Sequence, residues 1–147
     1  MSELLAGQAV RISEQVVRVL APNPSVFTGP GTNSYLLGRP GGDLLVLDPG
    51  PADEAHIAAL LDAAQVMGGT IRDIVCTHTH EDHSPGAALL AARTGARLVG
   101  NPAPNDGFND LTFRPDLVPA DGSVISCADV RLQVIATPGH VSNHLCF

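Results

Sequence analysis

The alternation of apolar and polar positions changes period several times along the chain and divides it into short elements. Gln15 to Leu20 and Asn33 to Gly38 read as strands, joined by the Pro- and Gly-rich segment Ala21 to Thr32, which predicts a loop. After a turn at Arg39 to Gly42, Asp43 to Leu47 is a mostly apolar run, too short for a helix, which predicts a buried strand ending at Asp48. The period then shifts. Ile57, Leu60, Leu61 and Ala64 recur at helical spacing, with Asp53 as N-cap and Gly68-Gly69 as stop signal. Ile71 to Cys76 predicts a further buried strand, and Ser84 as cap with Pro85 as first helical residue predicts a second helix through Arg93. Arg97 to Gly100, Ser123 to Ser126 and Val130 to Ala136 read as strands. Asn101 to Pro119 between them is a Pro- and Asn-rich connection of a length that is usually functional or mobile. His144 to Phe147 has the pattern of a strand just beginning. Strands alternating with two amphipathic helices give an α/β class with a mixed sheet and flanking helices.

Composition narrows the picture. A chain of 147 residues with a hydrophobic share of 44% can build one domain with a real core, over residues 1–147, and is too short for two. All eight basic residues are arginine, and 15 acidic side chains give a formal charge of -7, a balance that disfavours a nonspecific grip on nucleic-acid phosphates. Cys76, Cys127 and Cys146 show no paired spacing and read as reduced, buried thiols. The first residues carry neither a basic leader nor an apolar stretch of signal-peptide length, and no segment approaches a membrane span. The expectation is therefore a cytoplasmic address and no membrane partner.

Candidate chemistry is concentrated after the strand at Ile71. Thr77-His-Thr-His-Glu-Asp-His-Ser84 packs three imidazoles and two carboxylates, Glu81 and Asp82, into six positions, and Thr137-Pro-Gly-His140 supplies a further imidazole far downstream. Alternation in an extended segment turns the rings of His78 and His80 to one side, where they can share a cation, and leaves Asp82 and His83 for a second one nearby. A cluster lying between a buried strand and a helix would hold its donors ready before an ion arrives. Asp48 is expected to brace the histidine segment by accepting bonds from loop amides. Thr77 and Thr79 are expected to brace through their hydroxyls, Gly86 and Gly139 to permit close backbone approach, and Glu81 to be solvated. His56 reads as a solvated helix residue without a role.

The run His78-x-His80-x-Asp82-His83, with Thr137-Pro-Gly-His140 downstream, resembles the metallo-beta-lactamase fold superfamily. Leu45-Val-Leu-Asp48-Pro-Gly and the approach from Asp121-Gly122 to His140 extend the resemblance from about Val16 to the last residue. Gly31-Thr-Asn-Ser-Tyr-Leu36 and His144 are most similar to the beta-lactamase-like protein 2 group and its glyoxalase II relatives. Val141 and Asn143 depart from the glyoxalase-like run, and His144 reads as a bracing or core residue.

The resemblance implies an αββα sandwich of which this chain is the first half. It implies that His78, His80 and His140 hold one metal while Asp82 and His83 belong to a second. It also implies zinc as the cofactor, in one or two ions, with iron or manganese accepting the same donors. The family's later bridging aspartate and later histidine would lie beyond Phe147, so the chain reads as truncated in its second half. The expected activity of the intact protein is hydrolysis by metal-bound hydroxide of an ester, thioester or phosphodiester, with RNA among the substrates, and Asp82 is the candidate catalytic residue. Two other readings stand beside it: an inactive metal-binding half-domain, and an interaction module. A half-sandwich would also leave an apolar sheet face bare and favour self-association.

Overall fold

The computed structural model describes residues 4–147. Its centre is a six-stranded mixed sheet in sequential order, from β1 (Ala9–Ser13), β2 (Val16–Leu20), β3 (Asn33–Leu37) and β4 (Asp43–Leu47) to β5 (Thr70–Val75) and β6 (Arg97–Val99). The first four strands run antiparallel to one another. The pairs β4 with β5 and β5 with β6 are parallel, and each is joined by a crossover that carries a helix.

Helix α1 (Glu54–Met67) starts as expected, with the Asp53 carboxylate accepting the His56 N–H at 2.8 Å, and it stops at Gly68, whose φ of 66° no β-carbon has to oppose. Its buried stripe is His56, Ile57, Leu60, Ala63, Ala64 and Met67. This overturns the reading of His56 as solvated: position 56 lies four residues before Leu60 on the core-facing side, and helical spacing decides burial more strongly than residue type. Helix α2 (Gly86–Thr94) begins after Pro85, and Ser84 does not cap it. The Ser84 hydroxyl donates instead to Asp110 at 2.8 Å, which draws it away from the helix N-terminus.

Both helices cover one face of the sheet, where Val17, Leu36, Leu44, Val46, Leu60, Ile74 and Leu90 form the larger apolar cluster. The opposite face is also covered. Leu45, Val75 and Val99 have no exposure and pack against Ile125, Cys127, Val134 and Leu145. Ile125 and Cys127 come from the hairpin of β7 (Val124–Cys127) and β8 (Val130–Gln133), Leu145 from the pair β9 (Ile135–Ala136) and β10 (Leu145–Cys146), and Val134 from the single residue between β8 and β9. The bare face expected of a half-sandwich is therefore not found on these strands, since the downstream residues fold back over it.

Three further readings change. Strand β1 escaped the sequence because its pattern has no buried stripe: only Val10 is half-buried and Ile12 is 56% exposed. The single strand expected over Val130 to Ala136 changes partner at Val134, which bonds to Ser123 before β9 pairs with β10. Cys76 and Cys127 are buried, Cys146 is exposed, and all three are free thiols. No described helix is long and apolar enough to cross a membrane.

Candidate metal centre

Asp48 and Thr77 leave the sheet side by side at the C-terminal ends of the adjacent parallel strands β4 and β5, the end at which open α/β sheets hold their ligands. Asp48 then turns into the left-handed region at φ 51°, a conformation aspartate tolerates better than most residues, and this swings its carboxylate toward the next loop. Oδ1 accepts the Thr77 N–H at 2.7 Å, Oδ2 accepts the Thr77 hydroxyl at 2.8 Å, and Oδ2 also lies 2.9 Å from His83 Nδ1. The expected bracing role of Asp48 agrees with these contacts.

The same contacts set the tautomer of His78. Thr77 has one hydroxyl proton and gives it to Asp48, so Thr77 Oγ1 accepts from His78 Nδ1–H at 2.8 Å. Nε2 of His78 is left with a free lone pair, and it lies 3.1 Å from His80 Nδ1. His140 arrives on the loop after β9 with its ring centroid 5.1 Å from that of His78 and 4.7 Å from that of His80. One nitrogen from each of His78, His80 and His140 lies within 4.8 Å of the others. Zinc–nitrogen bonds of about 2.05 Å at tetrahedral angles put ligand nitrogens about 3.3 Å apart, so the His78–His80 pair is already at that spacing. The donor set fits a divalent cation.

Protonation supports the fit. Burial first, and then the neighbouring imidazoles led by His83, pull His78 down to about 3. Burial and His140 lower His80 as well. Both rings therefore present lone pairs at neutral pH. His83 behaves oppositely: burial opposes its charge, but hydrogen bonds to Asp48 and Asp82 outweigh that and raise it to about 9. Its Nε2 faces Asp82 Oδ2 at 3.3 Å, and His83 holds that carboxylate below its ordinary range. Asp82 and His83 thus form a carboxylate–imidazole pair beside the triad, where a cation would have to displace the Nε2 proton.

A second ring of contacts ties the two histidine segments together. The Thr79 hydroxyl donates to Asn109 Oδ1 at 2.7 Å and accepts from Asn143 Nδ2 at 2.8 Å, and the Leu145 N–H donates to the Thr77 carbonyl at 2.7 Å. The long loop joins through a bridge between His80 and Asn109, and Asp110 accepts from Ser84. Asn109, Asp110 and Asn143 carry no motif, and nothing in their spacing points to these contacts. Gly86 is needed for close approach, because a β-carbon there would lie 2.8 Å from the Pro49 carbonyl and 2.9 Å from that of Pro51. Gly139 is not, since nothing lies within 4 Å of its added carbon. Glu81 is exposed.

His144 joins the cluster as a half-buried neighbour. Its ring centroid is 5.0 Å from that of His78, and its Nδ1 lies 2.8 Å from the Thr137 hydroxyl. His56 lies behind Asp48: Ser34 Oγ donates to the Asp48 carbonyl at 2.5 Å and meets His56 Nε2 at 2.8 Å. The serine proton is committed to the carbonyl, so His56 donates from Nε2, and burial keeps the ring neutral with its pKa lowered to about 4.

Comparison with known proteins agrees with this architecture. A beta-lactamase-like protein 2 homolog from Drosophila melanogaster is 31% identical over 153 residues, covering 96% of this chain and 51% of the relative. A hydroxyacylglutathione hydrolase from Acidiphilium cryptum is 38% identical over 95 residues, covering 65% of this chain and 37% of the relative. The chain thus spans about half the length, or less, of these relatives. A variant of a metallo-beta-lactamase from Cronobacter sakazakii superposes with a TM-score of 0.74 at 25% identity, over 94% of this chain and 57% of that structure. The model of the metallo-beta-lactamase superfamily matches residues 27–147, a span that contains both histidine segments and the strands that present them, and the chain belongs to that superfamily.

Proposed function

We propose that this chain is the metal-holding part of a hydrolase that cleaves thioesters. The observation that carries the reading is the convergence of His78, His80 and His140 from two remote segments, with the Asp82–His83 pair beside them. Zinc suits three imidazole donors that leave a fourth position open. Held there, it would supply Lewis acidity and bring the pKa of a water toward neutrality. The superfamily includes hydrolases, and the relative from Acidiphilium cryptum bears the name of an enzyme acting on a hydroxyacylglutathione, which is a thioester.

The side chains divide the work. Asp48 and Thr77 orient His78, and Asp48 with Asp82 orients His83. Asp82, kept ionised by His83, is suited to take a proton from the attacking water and return it to the leaving sulfur. In balance, one water oxygen adds to the acyl carbon, the C–S bond breaks, one water proton ends on the thiol and the acid is released. Alternatively Asp82 and His83 serve a second ion.

Elemental analysis of the purified protein, together with turnover of a simple thioester before and after chelation, tests the reading. About one divalent ion or more per chain and chelator-sensitive turnover are expected. Bound metal without turnover of any ester would favour the incomplete metal-binding half-domain, in which Asp82 and His83 are the donors assigned to a second ion and leave it short of ligands.

A further inference from the structure

Two loop tips beside the histidine cluster expose large apolar side chains that nothing in the fold requires. Val26 and Phe27 are 93% and 95% exposed at the tip of the loop between β2 and β3, and Phe108 is 78% exposed on the long loop. Single exposed apolar residues are ordinary on a protein surface, but these sit on tips built to hold their shape. Ser25 Oγ accepts the N–H groups of Phe27 and Thr28, both at 3.1 Å, and Thr28 Oγ1 donates to the Asn23 carbonyl at 2.6 Å. Asp106 accepts the Phe108 N–H at 3.0 Å and both carboxylate oxygens accept from Asn109, the residue bridged to His80.

Both tips border the site. Phe27 shares a shallow recess of about 460 Å³ with Pro51, Glu81 and Asp82. Phe108 is one residue from Asn109, whose backbone bridges to His80 and whose side chain is held by Asp106. The chain has only four phenylalanines, one tyrosine and no tryptophan, so two of its five aromatic side chains stand at this rim.

Charge at the rim points the same way. None of the eight arginines falls within residues 21–32, 77–86, 101–110 or 137–144, the segments that surround the cluster, and the chain has no lysine. Four arginines are paired elsewhere, with Asp129, Asp43, Glu54 and Asp73. Glu81 and Asp82, by contrast, line the recess beside Phe27, and Asp106 holds Asn109, the residue bridged to His80. A phosphodiester backbone would meet acidic groups and no arginine or lysine on these segments, the one charged imidazole, His83, being held between Asp48 and Asp82, whereas an uncharged hydrocarbon would meet Val26, Phe27 and Phe108.

We propose that this rim selects thioesters with an extended, uncharged apolar acyl group, with Phe27 and Phe108, one on each loop tip, as the specificity-determining residues. The proposal rests on the thioester hydrolase reading. It differs from it in naming the part of the substrate that this chain grips.

The test uses metal-loaded protein and S-acyl-N-acetylcysteamine thioesters from acetyl to decanoyl. The ratio of kcat/KM for decanoyl to that for acetyl should be high. Phe27→Ala and Phe108→Ala should each lower it about tenfold, the scale of losing one buried aromatic contact, with metal content unchanged. Val66→Ala, at an exposed position of α1, should leave the ratio unaltered. A ratio near one, a ratio insensitive to both phenylalanine variants, or faster turnover of bis(4-nitrophenyl) phosphate than of the decanoyl probe would overturn the proposal. Absence of all turnover from metal-loaded protein would instead count against the hydrolase reading. Calorimetric binding of the unreactive ketone analogue of the decanoyl probe then decides the rim: weaker binding in both variants supports it, and equal binding overturns it.

Discussion

The carboxylate of Asp48 takes both hydrogen-bond donors of Thr77, the backbone N–H at 2.7 Å and the hydroxyl at 2.8 Å, and by doing so dictates which nitrogen of His78 faces the centre. Groups of this kind typically alter metal affinity by about ten- to a hundredfold without touching the ion. Asp48→Asn keeps a side chain that tolerates the left-handed backbone but loses the charge shared with His83. We expect metal retention to weaken within that range, measured by competition with a calibrated chelator, and the metal-free protein to melt at a lower temperature, because the amide cannot accept all three bonds and leaves His83 with one buried counter-charge fewer. An unaltered affinity would remove Asp48 from the site.

His80→Ala and His140→Ala should each abolish retention of a stoichiometric ion through dialysis. His144→Ala should keep it, because its nitrogens are outside the converging set. Equal loss in all three, read by elemental analysis, would require a different ligand assignment.

Asn143 holds the two histidine segments together through Thr79 and the Pro102 carbonyl, at 2.8 and 3.2 Å. Asn143→Ala should cost about 1 kcal/mol of folding stability, the net worth of such a bond, and weaken the ion's affinity because His140 is less well positioned. A stability loss in chemical denaturation with unchanged metal affinity would limit Asn143 to a purely structural role.

His56 makes the metal-free fold acid-sensitive. Its folded pKa, lowered to about 4, lies below the ordinary 6.5, so the unfolded chain takes up the proton first as pH falls. Its contribution to stability is therefore intact above about pH 6.5 and declines below it, by about 2 to 3 kcal/mol between pH 7 and pH 4.5. Denaturation midpoints across this window should fall less steeply in His56→Gln, which retains a donor for Ser34. Parallel slopes in the two proteins would mean that the ring is not held neutral.

Gly86→Ala should destabilise although alanine is favoured over glycine within a helix by about 1 kcal/mol. The added carbon would meet three backbone carbonyls, of Pro49, Gly50 and Pro51, at 2.8 to 3.0 Å, and none of them belongs to a flexible side chain. A loss of about 1 to 3 kcal/mol is the expected range for such overpacking, and a raised melting temperature would contradict the close approach.

Much of this protein was legible in one dimension. Hydrophobic period identified β2 to β6 and α1, and the cap at Asp53 with the stop at Gly68 stands where the residues predicted it, because these elements are set by local sterics and by one buried face. The spacing His78-x-His80-x-Asp82-His83 announced a cluster because metal donors must lie close together, and short spacing on one loop guarantees it. Spacing could not tie His140, sixty residues after His80, to that cluster; the resemblance of Thr137-Pro-Gly-His140 assigned it there, and the fold brings its ring to His78 and His80. The tertiary structure alone decided that Asn109, Asp110 and Asn143 hold the loops in register. It likewise decided that His56 is buried and that the second sheet face is covered. Those facts depend on which distant surfaces meet, and a sequence without a fold carries no distance between residues that far apart.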